Sequence, residues 1–128
     1  MEKEGFVSMW VGSISSPEEL DSLLKISYTE DGDSIPSIFS LGFNIERYDD
    51  SLSESEFCYK SDKLIGKLLE GFSFDDVIIS NVYDLLGSEL TNEYNAVILL
   101  YNFYYEGSNK KAIINGNNLE FLCTVKYM

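Results

Sequence analysis

"AVILLYNFYY", residues 96–105, is dense in β-forming side chains and reads as a long strand. In its second half Tyr101, Phe103 and Tyr105 alternate onto one face, with Asn102, Tyr104 and Glu106 on the other. Two readings of these aromatics stand side by side. One is a tyrosine-rich face open to a partner. The other is a sheet covered on both faces.

The sequence on either side extends this strand into a sheet. Downstream, "EGSN" turns the chain and "KKAII" is a short strand. "NGNN" is a tight hairpin signal, and "LEFLCTVKY" pairs back across it. Simple alternation puts Leu119, Phe121, Cys123, Val125 and Tyr127 on one face of that last strand. At the other end of the chain, "FVSMWVG", residues 6–12, is a strand apolar on both sides and therefore interior to a sheet. Trp10 is expected in the core.

Helical signals fill the middle. In "SSPEELDSLLKI", Ser16 suits the N-cap, Pro17 the first helical position and Glu19 a capping box. Leu20, Leu23 and Leu24 form its apolar stripe. "YTEDGDSIPSIF", residues 28–39, reads as an acidic turn at Gly32 leading into a short helix capped by Ser34, with Ile35, Ile38, Phe39 and Leu41 turned inward. A second amphipathic segment spans Asp62 to Glu70, and a short strand is expected near Glu56 to Tyr59. "FSFDDVIISNVYDLLG" predicts a third helix, with Ser73 and Asp76 as a capping box and Phe72 and Val77 as a hydrophobic staple. Phe74, Val77, Ile78, Val82 and Leu85 make its core stripe, and Gly87 stops it. Strand, helices, then strands predicts an α+β fold: a mostly antiparallel sheet with helices packed on one face, in a single domain over residues 1–128.

Composition narrows the function. The chain has no histidine, so Ser-His-Asp and Cys-His mechanisms are excluded. Cys58 and Cys123 stand 65 positions apart in no paired motif and read as reduced, partly buried thiols. The net charge is −13, concentrated in two stretches. Ile26 to Tyr59 carries eight acids and one base, Arg47; Leu68 to Asn109 carries seven acids and no base. Such a field repels nucleic acid and anionic membrane and attracts basic proteins. No apolar run approaches a membrane span, and the first residues carry no secretory signature, so a cytoplasmic protein is expected.

No phosphate loop, dinucleotide fingerprint or nucleophile elbow is present. Setting Gly32 at the sixth position of a calcium loop puts Ile38 where the bidentate glutamate belongs, so "YTEDGDSIPSIF" is not an EF-hand. The pairs Asp49/Asp50, Glu54/Glu56 and Asp75/Asp76 would serve a glycosidase only if they faced each other across a cleft, which adjacency in sequence does not supply. No enzyme activity, cofactor or metal is expected.

"VSMWVG" followed by "SPEEL", then "YTEDGDSIPSIF", "YDD", "LLEGFSF", "NAVILLYNFYYEG" and a closing "LEFLCTVKY" together resemble the immunity-protein-22 family of bacterial polymorphic toxin systems. The resemblance covers nearly the whole chain in order. It implies an α+β fold with a characteristic tryptophan, here Trp10, and a gene beside a toxin gene. It also implies a protein that neutralises that toxin by binding it. The sequence departs from the family pattern near "SESEFCYK" and in the closing "CTVKY", which puts partner contacts there in doubt.

The expected partner is therefore a cognate toxin, basic and of nuclease type. The alternative is a non-catalytic acidic adaptor for some other basic protein. Acids already explained by helix starts, such as Glu18, Glu19, Asp75 and Asp76, are set aside. The candidate contacts are Glu30, Asp31, Asp33, Asp49, Asp50, Glu54 and Glu56.

Overall fold

The strand around Ala96–Tyr101 is one of five in a single antiparallel sheet, in a computed structural model that describes residues 1–128. In chain order the elements begin with β1 (Glu2–Ser13), α1 (Pro17–Leu24), β2 (Ser27–Tyr28), β3 (Ser34–Ile35) and α2 (Ile38–Gly42). A short 3₁₀ turn (Asp50–Leu52) then leads to β4 (Ser53–Leu64), α3 (Ile65–Leu68) and α4 (Asp75–Leu86). The chain closes with β5 (Glu89–Phe103), β6 (Lys111–Ile114) and β7 (Asn117–Lys126). The sheet order is β4-β5-β1-β7-β6, and β2 and β3 pair apart from it. The fold is α+β with a five-stranded antiparallel sheet, as the sequence predicts.

The helices do not lie on one face. Val7, Met9, Val11, Val97 and Leu99 pack with Ile65, Leu68, Ile78 and Val82, so α3 and α4 cover one side. Trp10, Ile98 and Leu100 pack with Leu20, Leu23 and Phe39, so α1 and α2 cover the other. The reason is in β1 and β5. Both are apolar at successive positions, so each face needs cover. Of the two readings of the β5 aromatics, the covered sheet is the one the structure adopts.

Two irregularities reverse the expected alternation. Asn102 has φ +56°, and beyond it Phe103 and Tyr105 join the Trp10 side while Tyr101 stays on the α4 side. Its side chain clamps the kink: Oδ1 accepts from the Gly5 N–H (3.0 Å) and the Tyr127 hydroxyl (2.6 Å). In β7 the register against β1 shifts between Met9 and Trp10, leaving Leu122 as the extra residue. Leu119 and Phe121 therefore face Trp10, whereas Cys123, Val125 and Tyr127 face the other way. The hairpin joining β6 to β7 does match expectation. Asn115 and Gly116, at φ +52° and +81°, make the two-residue turn.

Other boundaries moved. β4 takes twelve residues where a short strand was expected, absorbing Asp62–Leu64 and leaving the second amphipathic segment only the one-turn α3. In β4 four residues, 58–61, stand opposite the single Asn95, so the strand bulges there. Ser73 does not cap α4. The helix begins after Phe74 and has no side-chain cap bond, and of the expected stripe only Ile78 and Val82 are buried.

One buried hydroxyl joins three strands. Ser8 Oγ donates to the Phe103 carbonyl (2.8 Å), accepts from the Tyr105 N–H (3.1 Å) and meets Thr124 Oγ1 (2.8 Å). Ser8→Ala strands a carbonyl and an N–H where β5 leaves the sheet. The expected loss is about 2 kcal/mol in urea unfolding. An unchanged midpoint would mean that the kink does not depend on this hydroxyl.

Candidate functional site

The acidic turn is the tip of the β2–β3 hairpin. Pro36 disfavours a helical conformation at Ile35, so Ser34–Ile35 stays extended and pairs with Ser27–Tyr28. Thr29 closes the loop. Its N–H donates to the Asp33 carbonyl (2.8 Å), its carbonyl accepts from Gly32 (3.0 Å) and its hydroxyl accepts from the Asp33 N–H (3.1 Å). Gly32 takes φ +87°, which glycine allows at no steric cost. Glu30, Asp31 and Asp33 are all exposed on this tip.

The helix that follows is capped by Ser37 rather than Ser34, through the Ser40 N–H (3.1 Å). Of the residues expected to point inward, only Phe39 is buried; Ile35, Ile38 and Leu41 are exposed. The pairing of Ile35 in the hairpin and the later helix start account for the change.

Asp49 and Asp50 sit on a second, anchored segment. Tyr48 holds it: the ring meets Phe39 edge-on (6.3 Å), and the hydroxyl lies 3.4 Å from Ser37 Oγ. Burial pushes the Tyr48 hydroxyl above its ordinary pKa. Asp49 accepts from the Ser51 N–H (3.0 Å) and hydroxyl (2.5 Å), which fixes the 3₁₀ turn. Between this segment and the hairpin runs a groove of about 440 Å³ with Asp33, Glu46 and Asp50 on its walls. A second groove of about 360 Å³ adjoins it, lined by Asp49, Asp50, Glu2 and the end of β5. Arg47, Tyr48 and Asp50 belong to both.

The last two candidates lie on β4. Glu56 is exposed. Glu54 is half-buried and engaged: its Oε1 accepts from the Tyr101 hydroxyl (2.5 Å) and the Ser73 N–H (3.0 Å). Burial, then the Glu54 carboxylate, raise the Tyr101 hydroxyl well above its usual range. Glu54 and Glu56 share a small hollow with Glu70.

The seven candidates thus divide into a hairpin tip, a 3₁₀ turn and a strand start. Asp33 and Asp50 meet across one groove; Glu30 and Asp31 line neither groove nor the Glu54 hollow. Sequence reasoning passed over Glu46 and Glu70. Glu46 sits beside the sole arginine, and Glu70 at the end of an expected helix, so neither stood out.

The charge is scarcely neutralised from within. Lys63–Glu89, at 3.0 Å and exposed on both sides, is the one ion pair. Lys3 lies over the Phe6 and Tyr104 rings and Lys110 over Phe121, at 4.5, 4.9 and 4.7 Å, so these cations are spent on aromatics rather than acids. No three acids or thiols converge closely enough to hold a metal ion. Both cysteines are free, and no helix is long and apolar enough to cross a membrane.

A family model described as Immunity protein 22 matches residues 7–128. No curated protein and no solved structure matches the chain.

Proposed function

The chain belongs to the Immunity protein 22 family, and from that premise we propose that it neutralises a basic, nuclease-type toxin by presenting the acids of its hairpin and 3₁₀ turn to it. Membership itself implies a non-catalytic protein with a cognate toxin. The type of toxin and the contact surface are the reading added here, together with action in the cytoplasm of the producing cell.

One observation carries the reading. Asp33, Glu46, Asp49 and Asp50 line two connected grooves, and none of them has an ion-pair partner in its own chain. Enzymes that hold phosphates carry lysine and arginine, and a complementary acidic face steers such a partner in and blocks competing polyanions. The anchoring of both segments supports it further. The Thr29 loop and Tyr48 hold the backbone beneath these acids, so less of the chain has to be ordered on binding.

The test is co-production with the toxin encoded by the adjacent gene, followed by binding kinetics. Wild-type protein should rescue growth and co-elute with the toxin. Lysine at Asp33 and Asp50 together, one acid from the hairpin and one from the 3₁₀ turn, should slow association by about tenfold or more at low salt and flatten its salt dependence. Unchanged association and salt slope would remove this surface. Absence of any complex would remove the toxin reading altogether.

A further inference from the structure

Phe74 is held in a conformation its side chain disfavours. At the N-terminal boundary of α4 its φ is +60°, in the left-handed region that glycine and asparagine enter far more readily. Three donors impose this turn. The Gly71 N–H donates to Asp75 Oδ2 (3.1 Å), the Ser73 N–H to Glu54 Oε1 (3.0 Å), and the Tyr101 hydroxyl shares its one proton between Glu54 Oε1 and the Ser73 carbonyl (2.9 Å). Core filling does not explain the residue, because Phe74 remains 53% exposed. Its ring stands on Tyr127 (5.0 Å, edge-on) and leans toward Tyr101 (6.2 Å). Those two rings contact each other at 5.0 Å. Val77, one turn further along α4, is exposed as well.

The fold therefore keeps an aromatic residue on a disfavoured backbone conformation with its ring half in water. Strain that the surroundings over-determine is a mark of functional positions. The setting identifies the occupant. Asp75 and Asp76 follow the ring in sequence, Glu54 bonds the turn that holds it, and Glu70 shares the adjoining hollow with Glu54. None of these four has an ion-pair partner. A second copy of this chain would set like charges against them, whereas a basic partner would complement them. Tyr101, toward which the ring leans, also lines the groove beside Asp49 and Asp50 at the sheet's edge.

We infer that Phe74, with Val77, is the apolar anchor of the toxin interface, entering an apolar pocket on the toxin whose lysine or arginine rim meets Glu70, Asp75 and Asp76. The inference rests on the immunity reading. It adds a hydrophobic centre, where affinity concentrates, to an acidic surface that sets encounter rate.

The test pairs Phe74→Asn with Val77→Glu, each assayed for urea unfolding and for dissociation from the toxin of the adjacent gene. Asparagine relieves the backbone strain as it removes the ring, so the Phe74→Asn midpoint should stay near or above wild type. Dissociation should quicken by about ten- to a hundredfold in Phe74→Asn and measurably in Val77→Glu. A dissociation rate within twofold of wild type in both variants overturns the inference. So does a large drop in the Phe74→Asn midpoint without faster release, which would make the ring a structural cap. Concentration-dependent dimerisation abolished by Phe74→Asn would assign the ring to a second copy and overturn it too. If the wild type forms no complex, the immunity reading falls first and takes this one with it.

Discussion

Replacing Trp10 with alanine should lower the unfolding free energy by about 3–5 kcal/mol, as judged by circular dichroism in urea. For a domain of this size that is a large share of the roughly 5–15 kcal/mol typically available. Trp10 is wholly buried in β1. Its ring makes edge contacts with Phe39 (5.1 Å), Phe43 (5.8 Å), Tyr105 (5.3 Å) and Phe121 (5.1 Å). These four come from α2, from the residue capping it, from the chain beyond β5 and from β7, so one deletion loosens four parts of the fold. The indole N–H has no hydrogen-bond partner. Trp10→Phe would thus remove an unsatisfied donor along with some ring volume, and these effects oppose. Trp10→Phe should recover much of what alanine loses. An alanine variant within 1 kcal/mol of wild type, on the order of a surface change, would show that the aromatic cluster does not hold this face together.

The second large effect is alkaline. Six groups have raised pKa values with burial as the first cause: Cys58, Cys123, Tyr48, Tyr94, Tyr101 and Tyr105. Each keeps its proton longer in the folded chain than in the unfolded one. The unfolded chain therefore binds fewer protons at high pH, and stability falls as pH rises. Cys123, buried against Val125 and Met9, is pushed from 9.0 up to about 12. Its contribution is complete below pH 9.0 and is withdrawn progressively up to about pH 12. That slope is about 1.4 kcal/mol per pH unit. The tyrosines add theirs above 10.0, with Tyr101 foremost because Glu54 also opposes its ionisation. Urea midpoints should fall steeply between about pH 9 and pH 11, and Cys123→Ala should flatten the first part of the fall. A midpoint constant across that range would contradict the burial of these groups.

What the sequence conveyed was local. Ser16, Pro17 and Glu19 mark the start of α1, where Ser16 Oγ accepts from the Glu19 N–H (3.2 Å). Asn115 and Gly116 mark the hairpin, and Gly87 the end of α4. In each case the signal and its partner lie within a few residues. What it did not convey was decided across the sheet. Whether Phe103 faces Trp10 or α4 depends on Asn102, which is held by Gly5 and Tyr127, 97 and 25 positions away. The capping box at Ser73 fails because Glu54, 19 positions upstream, takes the Ser73 N–H. β1, apolar on both faces, foreshadows the two-sided cover, but nothing in the helical segments says which face each one takes.

The same division holds for the candidate surface. Each acid was legible as unexplained by helix caps. Their grouping was not, since Asp33 and Asp50 meet only because Tyr48 folds its segment back onto α2. Glu54 illustrates the converse. It looked free in sequence, yet it is occupied by Tyr101 and Ser73, so its charge supports the turn under Phe74 before any partner arrives.

The bulge in β4 has a bearing on self-association. A protein that acts by binding its target does so by mass action, so its own self-association would compete with that binding. Crowded β proteins are threatened by free strand edges, which template end-to-end assembly into filaments. β6 is short and packs against α2, which leaves β4 as the long exposed rim. There, residues 58–61 swell away from the sheet and carry Tyr59 outward, 90% exposed, between Cys58 and Lys60. The row of outward N–H and C=O groups along that rim is therefore broken after Phe57. An interrupted rim of this kind works against the edge-to-edge pairing that an unbroken outer strand invites.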